Sequence, residues 1–362
     1  MKIAAVELAP FRLPMAHAVR TGAGTHAARD GFAIRIRDDQ DRIGLGEATP
    51  LVTQGTESLA ACESALQALT RGLLGRELDD ATQIAALVRT HTAPAARSGV
   101  ELALLDLLGR ARGVPVASLL TNEPLARVSV NALLVEDDAL ALANEASARV
   151  AEGFGTLKIK VGARSLEEDL ARVRSVSQAA GSRALLRLDA NGAWSLPIAQ
   201  HALNAMAELA DIELCEQPVA SLEDLAHLAE TSPVPVAADE LLSQPEAADA
   251  LIHRRAVHAL VLKPMVLGGL IHAQQLAKRA SAAGLDVIVT TTLDGAIARA
   301  GAWQLASALS GPLPACGLAT GFTLAEDLGS EPLVLEHGWA RAPERPGLGV
   351  EIERSLAWSL IS

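Results

Sequence analysis

One pattern constrains this chain more than any other: from residue 128 onward a short apolar run is followed by an Ala-rich, charged segment, and the pair repeats at a steady pitch. The runs are VSVNALLV (128–135), TLKIKV (156–161), ALLRLDAN (184–191), IELCEQP (212–218), PVAADE (235–240), ALVLKP (259–264) and DVIVTTT (286–292). A weaker eighth, PACGLAT, covers 314–320. The intervening segments are long enough for one helix and two short loops. Strands alternating with helices imply a parallel sheet, because parallel neighbours need a crossover connection. Eight such units suit a closed (β/α) barrel of the TIM type with seven or eight staves, although a doubly wound open sheet has the same local signature.

The N-terminal third reads differently. Residues 1–13, 31–37 and 43–47 pattern as strands of a small antiparallel sheet, and 57–75, 80–91 and 97–112 as helices. The expected organisation is an α+β unit over 1–122, the barrel over 123–324, and a C-terminal segment, 325–362, that returns to the first unit. In that segment LVLEHG and GVEIE look strand-like around a Pro/Gly-rich stretch, and the βα beat has stopped.

Half of the 362 residues are hydrophobic, mostly aliphatic, with four Trp, four Phe and no Tyr, which is ample for a large core. Charge, Gly or Pro interrupts every apolar stretch before the roughly 18 residues a membrane helix requires. The start, MKIAAVELAPFRLPM, alternates like a strand and lacks the apolar core of a signal peptide, so a cytoplasmic protein is expected. Cys62, Cys215 and Cys316 are too few and scattered for a disulfide framework and are read as free buried thiols. A net charge of −12 argues against a nucleic-acid surface but permits a focused positive site for a small anion.

Ionisable residues sit at the C-terminal ends of five consecutive runs. Lys158 and Lys160 close the second, Asp189 and Asn191 the third, Glu216 the fourth, Asp239 and Glu240 the fifth, and Lys263 the sixth. From Lys160 through Asp189, Glu216 and Asp239 to Lys263 the steps are 29, 27, 23 and 24 residues, one βα unit each. In a barrel these ends converge on one rim, where such folds place their chemistry. Any one of them alone would be an ordinary strand end, paired or solvated. Lys158 and Lys160 flank Ile159, so both face the barrel interior, where an unpaired lysine is costly. Three converging carboxylates repel unless a cation neutralises them, and an all-oxygen set suits Mg²⁺ or Mn²⁺ better than zinc. Lysines beside such a cation are expected to have lowered pKa values and to serve as general bases. The arrangement points to removal of a proton α to a carboxylate.

The segments TLKIKVG, RLDANGAWS, CEQP, AADE and VLKP, in this order, resemble the enolase superfamily and, within it, the muconate-lactonizing-enzyme subgroup. GLGEATPL (44–51) and PGLGVEI (346–352) resemble the pieces that together form the family's capping domain. The resemblance implies that Asp189, Glu216 and Asp239 ligate Mg²⁺, with Mn²⁺ as a substitute. It implies Lys160 as the base, Lys158 as its electrostatic partner and Lys263 as the lysine on the opposite face, with Asn191 and Glu240 in support. The related mandelate-racemase branch uses a histidine base; here the seventh run ends in Thr290, Thr291 and Thr292, followed by Asp294, and all nine histidines are read as surface or helix-packing residues.

Subgroup reactions include o-succinylbenzoate synthesis, muconate cycloisomerisation, dipeptide epimerisation and racemisation of N-succinylamino acids. The segment GLATGFTLAEDL (317–328) lacks the Asp-x-Asp that dipeptide epimerases usually carry there. TTTLDGAIARAGAWQLA (290–306) resembles the Ser/Thr-rich segment of o-succinylbenzoate synthases, and its hydroxyls and helix-start amides offer a carboxylate site, with Thr291, Thr292 and Asp294 as candidates. The Gly-rich stretch from His17 to Arg29 reads as a loop closing over substrate, with Arg20 or Arg29 to pair with a second carboxylate. The first expectation is therefore an o-succinylbenzoate synthase, a lyase of menaquinone biosynthesis. The alternatives are an isomerase (N-acyl amino acid racemase, dipeptide epimerase or muconate-type cycloisomerase) and, more remotely, a non-catalytic binding protein. The expected partner is a small carboxylate substrate, with no nucleic acid or membrane; homo-oligomerisation stays open.

Overall fold

The computed structural model describes residues 1–21 and 24–361, with the side chains of 17–25 outside the described set. The N-terminal sheet is antiparallel, built from β1 (Ile3–Thr21), β2 (Gly24–Asp38) and β3 (Ile43–Ala48). Pro94–Arg112 is the helix packed most extensively on it. Between Gly44 and Gly46 of β3 and this helix the backbones nearly touch: a Cβ on Gly46 would lie 2.1 Å from the Gly99 carbonyl oxygen. Three small residues thus replace side-chain packing with backbone contact.

β4 (Arg127–Ser129) leads into the parallel sheet: β5 (Ala132–Leu134), β6 (Thr156–Lys160), β7 (Leu185–Asp189), β8 (Ile212–Glu216), β9 (Val236–Ala238), β10 (Ala259–Leu262) and β11 (Asp286–Val289), paired in sequence order. The eighth stave shrinks to two residues, yet it closes the ring. Cys316 bridges in parallel to Val130, ahead of β5, and Gly317 to Thr290, just beyond β11. The alternative of an open doubly wound sheet is thereby excluded. Helices such as Leu166–Ala180 and Leu196–Ala207 cover the outside. The former starts with a reciprocal capping box between Ser165 and Glu168, a signal written in the sequence as S-L-E-E.

Inside the barrel, alternation leaves a small core of its own, Leu214, Ala237, Ala259, Val261 and Ile288, separate from the main one. Into the space beside these short side chains reaches Arg187, fully buried. Its Nη1 donates to the Ala315 carbonyl (2.8 Å) and its Nη2 to Glu213 Oε2 (2.9 Å). Glu213 is available because the β7–β8 register slips between Leu186 and Arg187, a bulge that turns its carboxylate toward the arginine.

The tail returns to the N-terminal sheet at its end: β14 (Ser359–Leu360) adds to the edge of β1. Before that, β12 (Leu335–Glu336) and β13 (Trp339–Arg341) form a ribbon on β4. LVLEHG is thus only briefly a strand. GVEIE forms no strand, contrary to its alternating pattern; just before it Asp106 accepts from the amides of Leu45 (2.8 Å) and Leu348 (2.7 Å), tying β3 and the tail to one helix.

The N-terminal unit also caps barrel helices. Leu270–Ala282 and Ala296–Ser307 both begin after glycines and lack a side-chain cap of their own. Glu101 accepts from the Ile271 amide (3.0 Å), and Glu47 from the amides of Gly295 (2.6 Å) and Ala298 (3.0 Å). Carboxylates at helix N-termini complement the dipole. Burial, the larger effect, pushes both carboxyls up to about 7, with the Asp294 charge adding to the shift of Glu47. The folded state therefore holds a proton that the unfolded state releases from about pH 4.5 upward. These groups make stability fall as pH rises from 4.5 to 7, by up to about 3 kcal/mol each. Denaturant unfolding at pH 5 and pH 8 checks this: Glu47→Gln, uncharged throughout, is expected to show a visibly smaller loss between the two pH values than the wild type.

Candidate active site

Every strand-end residue singled out from the sequence reaches one rim. Asp189 lies opposite Lys160 on β6 and opposite Glu216 on β8 in the parallel ladders, and the carboxylates of Asp189, Glu216 and Asp239 are all buried. Lys158 Nζ lies 2.5 Å from Glu216 Oε2 and 2.9 Å from Asp189 Oδ2. Lys160 Nζ donates to the same Asp189 oxygen (2.9 Å) and to Asn191 Oδ1 (2.9 Å). Across the rim, Lys263 Nζ donates to Asp239 Oδ2 (2.5 Å) and to Gln54 Oε1 (2.6 Å). Glu240 Oε1 accepts from Asn191 Nδ2 (2.8 Å) and Gln54 Nε2 (3.2 Å), while its Oε2 is buried without a partner.

The electrostatics follow from this crowding. Burial opposes ionisation of Asp189, yet Lys158 and Lys160 outweigh it and hold the carboxyl well below its usual range. Asp239 is pushed up to about 7 by burial and then by the charge of Glu240, with Lys263 pulling the other way. Lys158 and Lys263 lie above the ordinary lysine value: burial disfavours their charge, but Asp189 and Asp239 respectively lead the carboxylates that overcome it. The lowered lysine pKa values expected from the sequence are therefore not a property of the protein charges alone. At Lys158 and Lys263 those charges do the reverse.

Backbone strain gathers at the same rim. Asn191 (φ 47°), Gln217 (φ 38°) and Leu293 (φ 59°), each just beyond a barrel strand, occupy the left-handed region without being glycine. Gln217 uses its turn to accept from the amides of Asp239 (2.8 Å) and Leu241 (3.4 Å), which aims the Asp239 segment.

The pocket above these groups is lined by Lys158, Lys160, Asp189, Asn191 and Lys263, by Thr290, Thr291, Thr292 and Thr320, and by apolar Leu51, Leu133, Leu293 and Ala319. Thr291 and Thr320 share a hydroxyl–hydroxyl bond of 2.9 Å. Two of the proposed substrate contacts stand elsewhere. Arg29 is buried and spends its guanidinium on the carbonyls of Thr49, Pro50 and Leu293, because its position on β2 faces the barrel loops and not the cavity. Asp294 is buried and accepts from the amide and hydroxyl of Thr292. At the helix start after Thr292 three amides are already taken by the protein's own carboxylates, those of Gly295 and Ala298 by Glu47 and that of Ala296 by Asp327 (2.8 Å). The side chain of Arg20 lies outside the described residues, and the stretch expected to be a loop is a hairpin, β1 pairing with β2 up to Thr21 and Gly24.

His26, Gln54, Asn131 and Thr320 also line the pocket and were not singled out from the sequence. His26, which the sequence groups with the surface or helix-packing histidines, faces the pocket instead, and burial, then the charges of Arg29 and Lys160, lowers its pKa. Gln54 carries no charge and lies some 200 positions from Lys263 in a turn, so no periodicity marks it. Asn131 offered a weak signal, as a polar residue inside the first apolar run.

Comparison with known proteins agrees with this architecture. Residues 4–121 match the family model "Mandelate racemase / muconate lactonizing enzyme, N-terminal domain", and 141–356 match "Enolase C-terminal domain-like". A muconate cycloisomerase of Acinetobacter lwoffii is 30% identical, covering 96% of this chain and 93% of its own. The crystal structure of an N-succinyl Arg/Lys racemase from Bacillus cereus superposes with a TM-score of 0.91 at 25% identity, over the full length of both chains. A dipeptide epimerase from Enterococcus faecalis, complexed with Mg and the dipeptide L-Leu-L-Tyr, gives 0.87 at 28% identity, covering 97% of this chain and all of that one. A closed barrel bearing lysines and carboxylates on one rim, an N-terminal antiparallel sheet and matches across nearly the whole length lead to one conclusion: the chain is an enzyme of the enolase superfamily, in the muconate-lactonizing-enzyme subgroup.

Proposed function

We propose that the enzyme removes the α-proton of a small carboxylate that has no free ammonium group, and that its reaction is the o-succinylbenzoate synthase dehydration. The observation that carries the first part is the placement of Lys160 and Lys263. They enter one pocket from β6 and β10, each held by its own carboxylate and carboxamide, Asp189 with Asn191 and Asp239 with Gln54. The exclusion of a free ammonium rests on the wall beyond β11 and the eighth stave, and the dehydration on the likeness of its Thr run to the Ser/Thr-rich segment of o-succinylbenzoate synthases. Among the described residues, Thr290, Thr291, Thr292, Ala319 and Thr320 line that wall with no acidic side chain beside them to pair with a substrate ammonium.

Asp189, Glu216 and Asp239 are the residues that would hold a divalent cation. As placed, their oxygens are engaged by Lys158, Lys160 and Lys263, and among the described residues no three acidic, His or Cys side chains already stand in a ligating arrangement. The donor set nonetheless fits a hard cation in kind: the oxygens are buried, they come from adjacent strands, and Glu240 adds a fourth carboxylate with one orphaned oxygen. When bound, Mg²⁺ or Mn²⁺ would supply Lewis-acid stabilisation of the negative charge that builds on the substrate carboxylate.

The protein's own groups do the rest. Lys160 accepts the α-proton, and its contacts to Asp189 and Asn191 aim the amine. Lys263, an ammonium on the other face, stabilises the enediolate electrostatically. The enediolate then re-forms its carboxylate while the C–O bond at the β-carbon breaks. The departing hydroxide takes the proton back from Lys160 and leaves as water. Leu51, Leu133 and Leu293 keep the pocket walls apolar, which strengthens each of these charge interactions.

The N-acyl amino acid racemase is the second reading, and one feature favours it: Lys263 is fixed as firmly as Lys160, as a second base would be. A panel of the succinyl-cyclohexadiene substrate, N-succinyl amino acids, dipeptides and cis,cis-muconate, each assayed with Mg²⁺, tests both. Dehydration with the highest kcat/KM is the expected result. Turnover of N-succinyl amino acids with no detectable dehydration would replace the synthase by the racemase, and preference for a dipeptide or for muconate would reject both.

A further inference from the structure

The two lysines are joined by an unbroken chain of hydrogen bonds. Lys160 donates to Asn191 Oδ1, Asn191 Nδ2 to Glu240 Oε1, Gln54 Nε2 to the same Glu240 oxygen, and Lys263 to Gln54 Oε1. Asn191 and Glu240 lie just beyond the barrel strands β7 and β9. Gln54 does not belong to the barrel. It ends the turn Val52–Gln54 of the N-terminal unit, so the chain is complete only when that unit is seated on the barrel rim.

The turn is built to present this side chain. The Gln54 amide donates to the Leu51 carbonyl (2.9 Å), and the Leu51 amide donates to Thr56 Oγ1 (2.5 Å), which closes the loop on itself. Gly55 follows at φ 88°, and a Cβ there would lie 2.3 Å from the Ser243 Cβ. Ser243 belongs to the short helical turn Glu240–Ser243 and donates to the Glu240 carbonyl (2.8 Å). Backbone of the N-terminal unit is thus pressed against the turn that carries Glu240, a contact only glycine permits. Gln54 is buried, so water competes little for its carboxamide.

We propose that Gln54 is a positioning residue for Lys263, doing from the N-terminal unit what Asn191 does for Lys160 from within the barrel, and so aiming the amine that acts on one face of the substrate. A carboxamide suits the task because it accepts from the ammonium and donates to the carboxylate at once, which neither a carboxylate nor an ammonium in its place would do. The inference rests on the proposed placement of the two lysines on opposite faces, and the exchange arm of its test on the second reading, in which Lys263 also moves a proton.

The test is Gln54→Met, which keeps the length of the side chain and removes both hydrogen bonds. Trace acetylation of the folded enzyme with acetic anhydride, read by peptide mass spectrometry, gives the labelling of Lys263 relative to Lys160 and needs no substrate. Loss of a charge-assisted hydrogen bond is expected to raise this ratio by about threefold or more. In D₂O, exchange of the α-proton of N-succinyl-L- and N-succinyl-D-phenylalanine reads the chemistry, with Lys160→Ala and Lys263→Ala assigning the faces. On the Lys263 face Gln54→Met should lower exchange about tenfold, with the other face and KM within about twofold. An unchanged labelling ratio, or equal losses on both faces, overturns the proposal. Wild type that exchanges neither enantiomer speaks against the two-faced chemistry, whereas the labelling ratio still decides whether Gln54 holds Lys263.

Discussion

Lys160→Ala should eliminate turnover, with a fall in kcat at or beyond the upper end of the roughly 10²–10⁴-fold that general acid–base catalysis contributes. The loss is large because, under the synthase reading, Lys160 acts twice, as base toward the α-carbon and as acid toward the departing hydroxide. The same substitution also leaves Asp189 with one cation fewer, so folding has to be checked beside activity. Lys263→Ala should be damaging too, but for a different reason: its ammonium is placed to stabilise charge. Lys263→Arg separates the roles, since a guanidinium keeps the charge and does not act as a base at neutral pH. Retention of a measurable fraction of dehydration by Lys263→Arg, with none by Lys263→Ala, would support an electrostatic role. Complete loss in both, together with exchange of only one enantiomer of an N-succinyl amino acid in each lysine variant, would support the racemase.

Removal of divalent cations is the second change expected to have a very large effect. Chelation should abolish activity and Mg²⁺ or Mn²⁺ should restore it, since Asp189, Glu216, Asp239 and Glu240 crowd four buried or half-buried carboxylates around three lysines. Asp239→Asn keeps the shape and loses the charge. Its Mn²⁺ affinity, measured by calorimetry on chelated protein, should fall by more than the roughly 10–100-fold that removal of an outer-sphere partner costs. Full activity in rigorously metal-free protein, or unchanged Mn²⁺ binding by Asp239→Asn, would defeat the proposed cation site.

Among the described residues no helix is long and apolar enough to cross a membrane. Cys62, Cys215 and Cys316 are free and buried, as their scatter in the sequence suggested. Burial raises the Cys215 and Cys316 thiols, and at Cys215 the neighbouring Asp189 and Glu216 charges add to it, so neither offers a ready thiolate.

The sequence by itself determined the barrel and the lysine–carboxylate rim, because both are periodic. A strand followed by a helix sets the pitch, a parallel ladder sets the register, and residues ending successive strands must meet at one end of a closed ring. Lys160, Asp189, Glu216, Asp239 and Lys263 obey that rule, and Arg187 and Val261 occupy the alternate positions that fill the interior below them. What only the tertiary structure decided lies between units that share no period. Gln54 meets Lys263 across 209 positions, and Glu47 meets Gly295 across 248. Arg29, charged and close to the expected substrate loop, turned out to clamp three backbone carbonyls. The helix start after the Thr run, free in sequence, is already capped by Glu47 and Asp327. A side chain's partner depends on which surfaces dock, and docking is set by the packing of whole elements, such as β3 against Pro94–Arg112, which no local spacing encodes.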